Sequence, residues 1–173
     1  GAELVAVASR SIERAREFAT EYPSKHVLGS YEELVALEDV DIVYVASPHS
    51  HHHEHTLLCL NNGKAVFCEK AFAITSQQAI EMVNLARSKN LFLMEALWTR
   101  FLPHYAKLRE MIDAGMLGEL KGVIANFGFL STQGPDQRHF NPALGGGSLL
   151  DIGIYNVFLA QTILGRPDEV IAS

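Results

Sequence analysis

Cysteine is scarce, net positive charge is lacking and no hydrophobic run is long. The only cysteines are Cys59 and Cys68, a usage that suits a reducing compartment, so a cytoplasmic location is expected. With 14 lysines and arginines against 20 aspartates and glutamates, the formal charge is -6 and the isoelectric point about 5.7. Such a chain has no electrostatic footprint for a polyphosphate backbone, so nucleic acid is not an expected partner. No apolar run approaches the roughly 18 residues of a membrane span, and no basic segment precedes an apolar one, so no membrane association is expected either. Repeats and low-complexity segments are absent apart from a histidine cluster, His49 to His55. The 173 residues that remain to be explained are 48% hydrophobic and 20% charged, a globular composition. A chain of this length should bury about 70% of its unfolded surface without a disulfide staple.

The pattern is strand, helix, strand. Glu3 to Ser9 reads as a nearly continuous apolar strand, and Ser11 caps a helix from Ile12 to about Thr20. A short extended piece, Lys25 to Leu28, precedes the capping box Ser30-x-x-Glu33 and a short helix. Asp41 to Ala46 is a second buried-type strand, followed by a helix from about Ser50 to Asn61 that ends at Gly63. Ala65 to Cys68 and Leu91 to Met94 are further strands, separated by a helix that opens at the capping box Thr75-x-x-Gln78. Strands alternating with helices, each strand apolar on both faces, predict an α/β fold: a Rossmann-like doubly wound parallel sheet, covered on both sides.

After Trp98 the pattern changes, so the nucleotide-binding domain is placed at residues 1–97 and a second domain at 98–173. Pro103 suits the first position of a helix ending near Gly115. Leu120 to Leu130 reads as extended, with Val123, Ala125, Phe127 and Phe129 on one face; a loop runs from Ser131 to Gly146. Gly147 to Leu164 is apolar almost all round and is expected to be a buried helix, with Glu169 to Ala172 beginning a strand. Gly-x-Gly-x-x-Gly is absent. A doubly wound nucleotide-binding sheet would carry it on a strand before Glu3, and in the order 3-2-1-4-5-6 that strand would lie between Leu4–Ala8 and Ile42–Ala46. The chain is therefore expected to be truncated at both ends, and by itself to be neither an active enzyme nor a normally stable domain.

Ligands of open parallel sheets bind at the carboxyl ends of the strands, where Ser9-Arg10, Ser47-Pro48-His49, Glu69-Lys70 and Glu95 stand. Arg10 suits a 2′-phosphate, whereas an acid there would suit the ribose hydroxyls; this favours NADP over NAD. Lys70, beside Glu69, could lower the pKa of a nearby hydroxyl. Asp151 and Tyr155 stand four residues apart on an apolar helix and share a face, which makes Tyr155 a candidate acid/base and Lys70 a candidate partner for the carboxylate. A core tyrosine and a carboxylate tying helix to loop is the alternative. Gly145-Gly146-Gly147 lacks the Gly-Lys-Ser/Thr of a P-loop and suggests close backbone approach to a neighbouring sheet or a substrate. The histidine cluster invites a metal, but no His-Glu-x-x-His occurs and the cysteines have no zinc spacing, so no metal is expected.

The ordered series Ser9-Arg10, Ser47-Pro48, His52, Gly63-Lys64-Ala-Val-Phe-Cys-Glu69-Lys70, Gly146-Gly147, Asp151, Gly153 and Tyr155 resembles the glucose-fructose oxidoreductase / inositol dehydrogenase (Gfo/Idh/MocA) family. Met94 to Pro103 and Tyr155 look most like the dihydrodiol dehydrogenase and D-xylose 1-dehydrogenase branch. The resemblance implies an oxidoreductase that moves a hydride between NADP and a secondary alcohol of a cyclic diol or sugar. It implies Tyr155 as acid/base, Asp151 orienting the lysine or substrate, and Lys70 with Glu69 against the nicotinamide ribose. Ser9, Arg10, Ser47, Pro48, His49, His52, Trp98 and Arg100 would complete the cofactor-binding set. It also implies a C-terminal domain with an open, mainly antiparallel sheet, through which a homodimer forms. One departure stands out: Ala71 replaces the family proline after the lysine, which frees φ and is expected to loosen Lys70. Two other classes remain open, a non-catalytic nucleotide-binding sensor or scaffold and a histidine-rich metal binder.

Overall fold

The computed structural model of the chain describes residues 1–171, which fall into two compact units, Gly1–Glu95 and Ala96–Ser173. In the first, β1 (Ala6–Ala8), α1 (Ile12–Glu21), β2 (His26–Leu28), α2 (Tyr31–Val35) and β3 (Ile42–Val45) alternate in order. A 3-10 turn, His49–His51, leads into α3 (His52–Asn61), and β4 (Ala65–Glu69), α4 (Ser76–Ser88) and β5 (Leu93–Ala96) follow. The helices start where polar caps stand. Ser11 accepts a hydrogen bond from the Arg14 amide at 3.4 Å, Ser30 from Glu33 at 3.2 Å and Thr75 from Gln78 at 3.2 Å. Each cap satisfies one orphan N–H of its first turn, typically for about 1 kcal/mol. Gly63, at φ 76°, supplies the left-handed turn after α3 that a side chain would oppose.

The strands pair in parallel as two separate sheets. β1 aligns Ala6 with His26 of β2; β3 aligns Ile42 with Ala65 of β4, and β5 lies on the other side of β4. Neither β1 nor β3 pairs with the other, and the spatial order β2-β1 and β3-β4-β5 leaves the place between them without a strand among the described residues. Val45, Val66 and Cys68 alternate onto one face of the larger sheet, where Leu60 of α3 and Met82 and Ala86 of α4 close over them. Leu60, Val66, Cys68 and Met82 are fully buried, each contributing roughly 1.5–3 kcal/mol relative to exposure. The expected cover on both faces is not seen within this unit. Ile42 and Tyr44, on the opposite face of β3, are half exposed, and the Tyr44 ring meets that of Phe67 at 5.5 Å.

In the second unit Pro103 opens α5 (Pro103–Asp113), its fixed φ suiting the first turn. Residues 120–130 are extended but unpaired with any strand among the described residues. Their alternation survives. Val123 and Ala125 are half buried while Ile124 is 94% exposed, and the Phe127 and Phe129 rings lie 6.4 Å apart on one side. No sheet is therefore present in this unit's described part, since a strand needs a neighbour to take up its backbone groups. Residues 169–171 are likewise not a strand, and Ala172 of that expected strand lies outside the described residues.

The apolar segment expected to be one buried helix is two pieces. A five-residue π turn, Leu149–Gly153, runs into the eleven-residue α6 (Ile154–Leu164). Only Asp151 and Phe158 are buried; Leu149 is 72% exposed and Val157 and Leu164 about half, because only one side packs on Leu97, Leu102 and Tyr105. The stretch Pro142–Leu164 is long and apolar enough to cross a membrane by length and composition. Its regular part is shorter than that, since Gly145 and Gly147 break it with φ of 73° and 123°, and Asp151 carries a charge into its middle.

Candidate active site

The strands of the first unit end at or near polar residues. Ser9 follows β1 and its hydroxyl accepts from the Ser11 amide at 3.3 Å, while Arg10 is exposed at the same strand end. After β3, the Ser47 carbonyl lies 2.8 Å from Nε2 of His52 and its hydroxyl 2.9 Å from Nδ1 of His55. Pro48 accepts the His51 amide at 2.8 Å, closing the turn that buries His49 to 3% exposure. The His49 and His52 rings meet edge to face, 5.6 Å apart. His49 and His52 both stand a few residues past β3, and the fold shows them to be interior.

His52, with no exposed surface, ties two strand ends together. Its Nδ1 lies 2.8 Å from the carbonyl of Ala71, the residue after Lys70. Burial lowers its pKa, against the pull of the two carbonyls; in its neutral form the ring donates through one nitrogen. Ala71 is itself buried, and the next amide, Phe72, donates to Glu95 Oε1 at 2.9 Å. Hydrogen bonds from His52 and to Glu95 thus meet the turn at Ala71 and Phe72, where the family carries a proline. Glu95 was visible in the sequence as a strand-end acid, but its task, anchoring the Lys70 turn, follows only from the fold. Burial raises its pKa, the Phe72 bond opposing.

Glu69 carries the Lys70 amide on Oε2 at 3.0 Å and receives the Tyr44 hydroxyl on Oε1. Burial and then the Glu69 carboxylate push the Tyr44 phenol far above its ordinary value. Tyr44 was not singled out from the sequence; the signal was there in the parallel register, which sets Tyr44 against Phe67, two residues before Glu69. Cys59 and Cys68 are pushed up by burial to about 11 and about 12, too high to supply a thiolate nucleophile at neutral pH.

In the second unit the Tyr155 hydroxyl accepts the indole N–H of Trp98 at 2.9 Å. Trp98 and Phe127 meet its ring edge-on, with centroids 5.9 Å and 5.4 Å away, so the phenol sits in an aromatic frame. Asp151, 6% exposed, is met by Arg138 Nη1 at 3.0 Å and by His139 Nε2 at 3.7 Å. Neither was read from the sequence, where Lys70 was named as a candidate partner; a buried carboxylate needs a positive partner, and the loop before the π turn supplies Arg138. Asp151 lies in the π turn, an irregularity frequent at functional sites. Within the glycine run, Gly146 approaches its own loop closely: a Cβ there would lie 2.7 Å from the Asn141 backbone and 2.9 Å from the Arg138 carbonyl. Arg100 lines a pocket of about 310 Å³ with Tyr105, Arg109 and Thr162.

Parallel strands alternating with helices, with polar residues at their carboxyl ends, define a Rossmann-like α/β unit, and a second compact unit follows it in the chain. The chain belongs to the Gfo/Idh/MocA oxidoreductase family: residues 1–97 match its model described as "Oxidoreductase family, NAD-binding Rossmann fold", and residues 105–173 the GFO/IDH/MocA C-terminal domain. It is 42% identical over 172 residues to mouse trans-1,2-dihydrobenzene-1,2-diol dehydrogenase, covering 98% of this chain and 51% of that protein. It is 47% identical over 181 residues to D-xylose 1-dehydrogenase (NADP(+)) of Hypocrea jecorina, covering 96% and 46%. Among solved structures, a 3-ketoreductase from Actinomadura kijaniata in complex with NADP and TDP-benzene matches with a TM-score of 0.86 at 33% identity, over 94% of this chain and 50% of that one. An aldose-aldose oxidoreductase from Caulobacter crescentus complexed with glycerol matches at 0.86 and 31%, over 95% and 50%. The chain thus spans about half the length of the relatives it matches.

Proposed function

We propose that this chain serves an NADP-dependent dehydrogenase acting on a secondary alcohol of a cyclic diol or sugar. The observation that carries the reading is the framed phenol of Tyr155. Because the Trp98 indole donates to its oxygen, that bond holds the phenol in place without consuming its proton. In the reducing direction the phenol gives that proton to the substrate oxygen, and in the oxidising direction Tyr155, as phenolate, takes the hydroxyl proton of the alcohol. Asp151, already paired with Arg138, is a fixed negative charge that orients the polar end of the substrate.

Ser9 and Arg10 fit a 2′-phosphate: an exposed guanidinium and a hydroxyl at one strand end, with no acid at either position to repel it. Ser47, Pro48, His49 and His52 shape the neighbouring strand end, and Glu69 with Lys70 that of β4. Trp98 and Arg100 are assigned to the nicotinamide end. NADP, when bound, supplies the hydride acceptor. The relatives named for trans-dihydrodiols and for D-xylose with NADP(+) support this substrate and cofactor class. A homodimer is inferred from the exposed apolar side chains of the second unit, Ile124, Leu130 and Val157 among them. Two free, buried cysteines support a reducing, cytoplasmic location.

Tyr155→Phe tests the reading, since it deletes one hydroxyl and almost no volume. NADPH binding, followed by fluorescence, should be unchanged while turnover of trans-dihydrodiol or xylose falls by about 10²–10⁴-fold. A variant keeping more than a tenth of the wild-type rate would send the proton elsewhere, with His49 the next group to test.

A further inference from the structure

We propose that His51, Glu54 and His55 form a binding site for one divalent transition-metal ion of the zinc or cobalt type, at the start of α3. The sequence lacks His-Glu-x-x-His, but helix geometry makes the reverse spacing, His-x-x-Glu-His, equally able to chelate. Residues three and four apart share a helix face, and the fold delivers the consequence. The ligand-capable atoms of the three residues all lie within 4.8 Å of one another, and the His51 and His55 rings are stacked at 5.4 Å with only 14° between their planes. Glu54 Oε1 stands between them, 2.6 Å from His51 Nδ1 and 3.4 Å from His55 Nε2. Ligand atoms on one tetrahedral zinc are about 3.4 Å apart at bond lengths of about 2.1 Å. Small side-chain rotations therefore suffice to close the set around an ion.

A second observation concerns the outer contact. Nδ1 of His55 faces the Ser47 hydroxyl at 2.9 Å, so donation there leaves the Nε2 lone pair directed at Glu54. Binding histidines are oriented in this way, the second ring nitrogen donating to a fixed acceptor. Tyr31 supports the same ring at 4.4 Å. The site is reachable from solvent, since the His51 and Glu54 side chains are 28% and 61% exposed. Two imidazoles and one carboxylate favour zinc, cobalt or nickel over calcium and magnesium, which require mostly oxygen ligands. Three protein ligands leave one tetrahedral position for water or an anion. His53, whose Nε2 is engaged by Glu81 at 2.9 Å, is not part of the set. The inference stands independently of the dehydrogenase reading.

Titration of the full chain with Co²⁺ alone, followed by visible absorption, and with Zn²⁺ alone, followed by calorimetry, tests it. One equivalent should bind, with the intense bands of low-coordinate cobalt. His51→Gln and His55→Gln should each weaken binding at least tenfold, given that even outer-contact losses cost about 10–100-fold. Glu54→Gln, at an exposed position that any stable fold tolerates, should weaken it less, and His53→Gln should leave it unchanged. Absence of saturable binding to the wild type would overturn the proposal. So would an unchanged cobalt spectrum and affinity in the His51→Gln/His55→Gln double variant, or an effect of His53→Gln as large as that of His51→Gln.

Discussion

Replacing His52 by leucine isolates the hydrogen bonding that ties the β3 end to the Lys70 turn. The side chain is wholly buried, and leucine is close to it in volume, so the cavity and overpacking costs stay small. What is lost is the N–H that serves one of two carbonyls, Ser47 or Ala71, each 2.8 Å from a ring nitrogen. A neutral ring satisfies one of them, and a buried carbonyl left without its donor costs about 1–3 kcal/mol. For a chain of this size that corresponds to a fall in Tm of roughly 2–12 °C, at about 2–4 °C per kcal/mol. His52→Gln, which keeps a donor of similar reach, should recover part of the loss, and His52→Ala should exceed the leucine cost by adding a cavity. Thermal and urea unfolding followed by circular dichroism would measure all three. If His52→Leu unfolded within about 0.5 kcal/mol of the wild type while alanine was costly, packing alone would account for His52 and the bond to the Lys70 turn would carry no energy.

Arg10→Ala should weaken NADP selectively over NAD, by about 1.5–3 kcal/mol for a charge-assisted hydrogen bond; equal loss for both cofactors in a fluorescence titration would refute the phosphate role. Gly146→Ala forces a Cβ to 2.7 Å from the Asn141 backbone, and should cost about 1–3 kcal/mol, read as a lowered urea midpoint; a neutral change would mean that the loop gives way freely. Burial raises the Glu95 pKa in the folded state, so the folded chain holds that proton longer than the unfolded one. Stability from this group is complete below the unfolded value near 4.5 and is lost as pH rises through the higher folded value. Glu95→Gln should therefore gain on the wild type as pH is raised across that window, measured by urea unfolding at several pH values, and a difference independent of pH would contradict the assignment.

Local chemistry was legible in the sequence because it acts over a few residues. Ser11, Ser30 and Thr75 cap helices through amides three positions on, and the alternation of strand and helix depends only on where apolar residues recur. Strand ends followed from that alternation, and with them Ser9, Arg10, Ser47, Glu69 and Lys70 as residues to watch. Tyr155 also stood out, a polar tip on an apolar helix. Partners were another matter. Arg138 meets Asp151 from a loop thirteen positions earlier, and no local pattern ties that arginine to the carboxylate. Tyr44 reaches Glu69 only because β3 and β4 pair in one register, and His52 reaches Ala71 only because α3 packs against β4. The same dependence explains the misjudged α6. Apolar composition on every side implies burial, yet a side chain is buried only where another element covers it, and coverage is a property of the tertiary structure alone. Periodicity and caps arise from bonds within one segment, whereas pairing, burial and the geometry of the site arise from contacts between segments far apart in the chain, and those the packed chain decided.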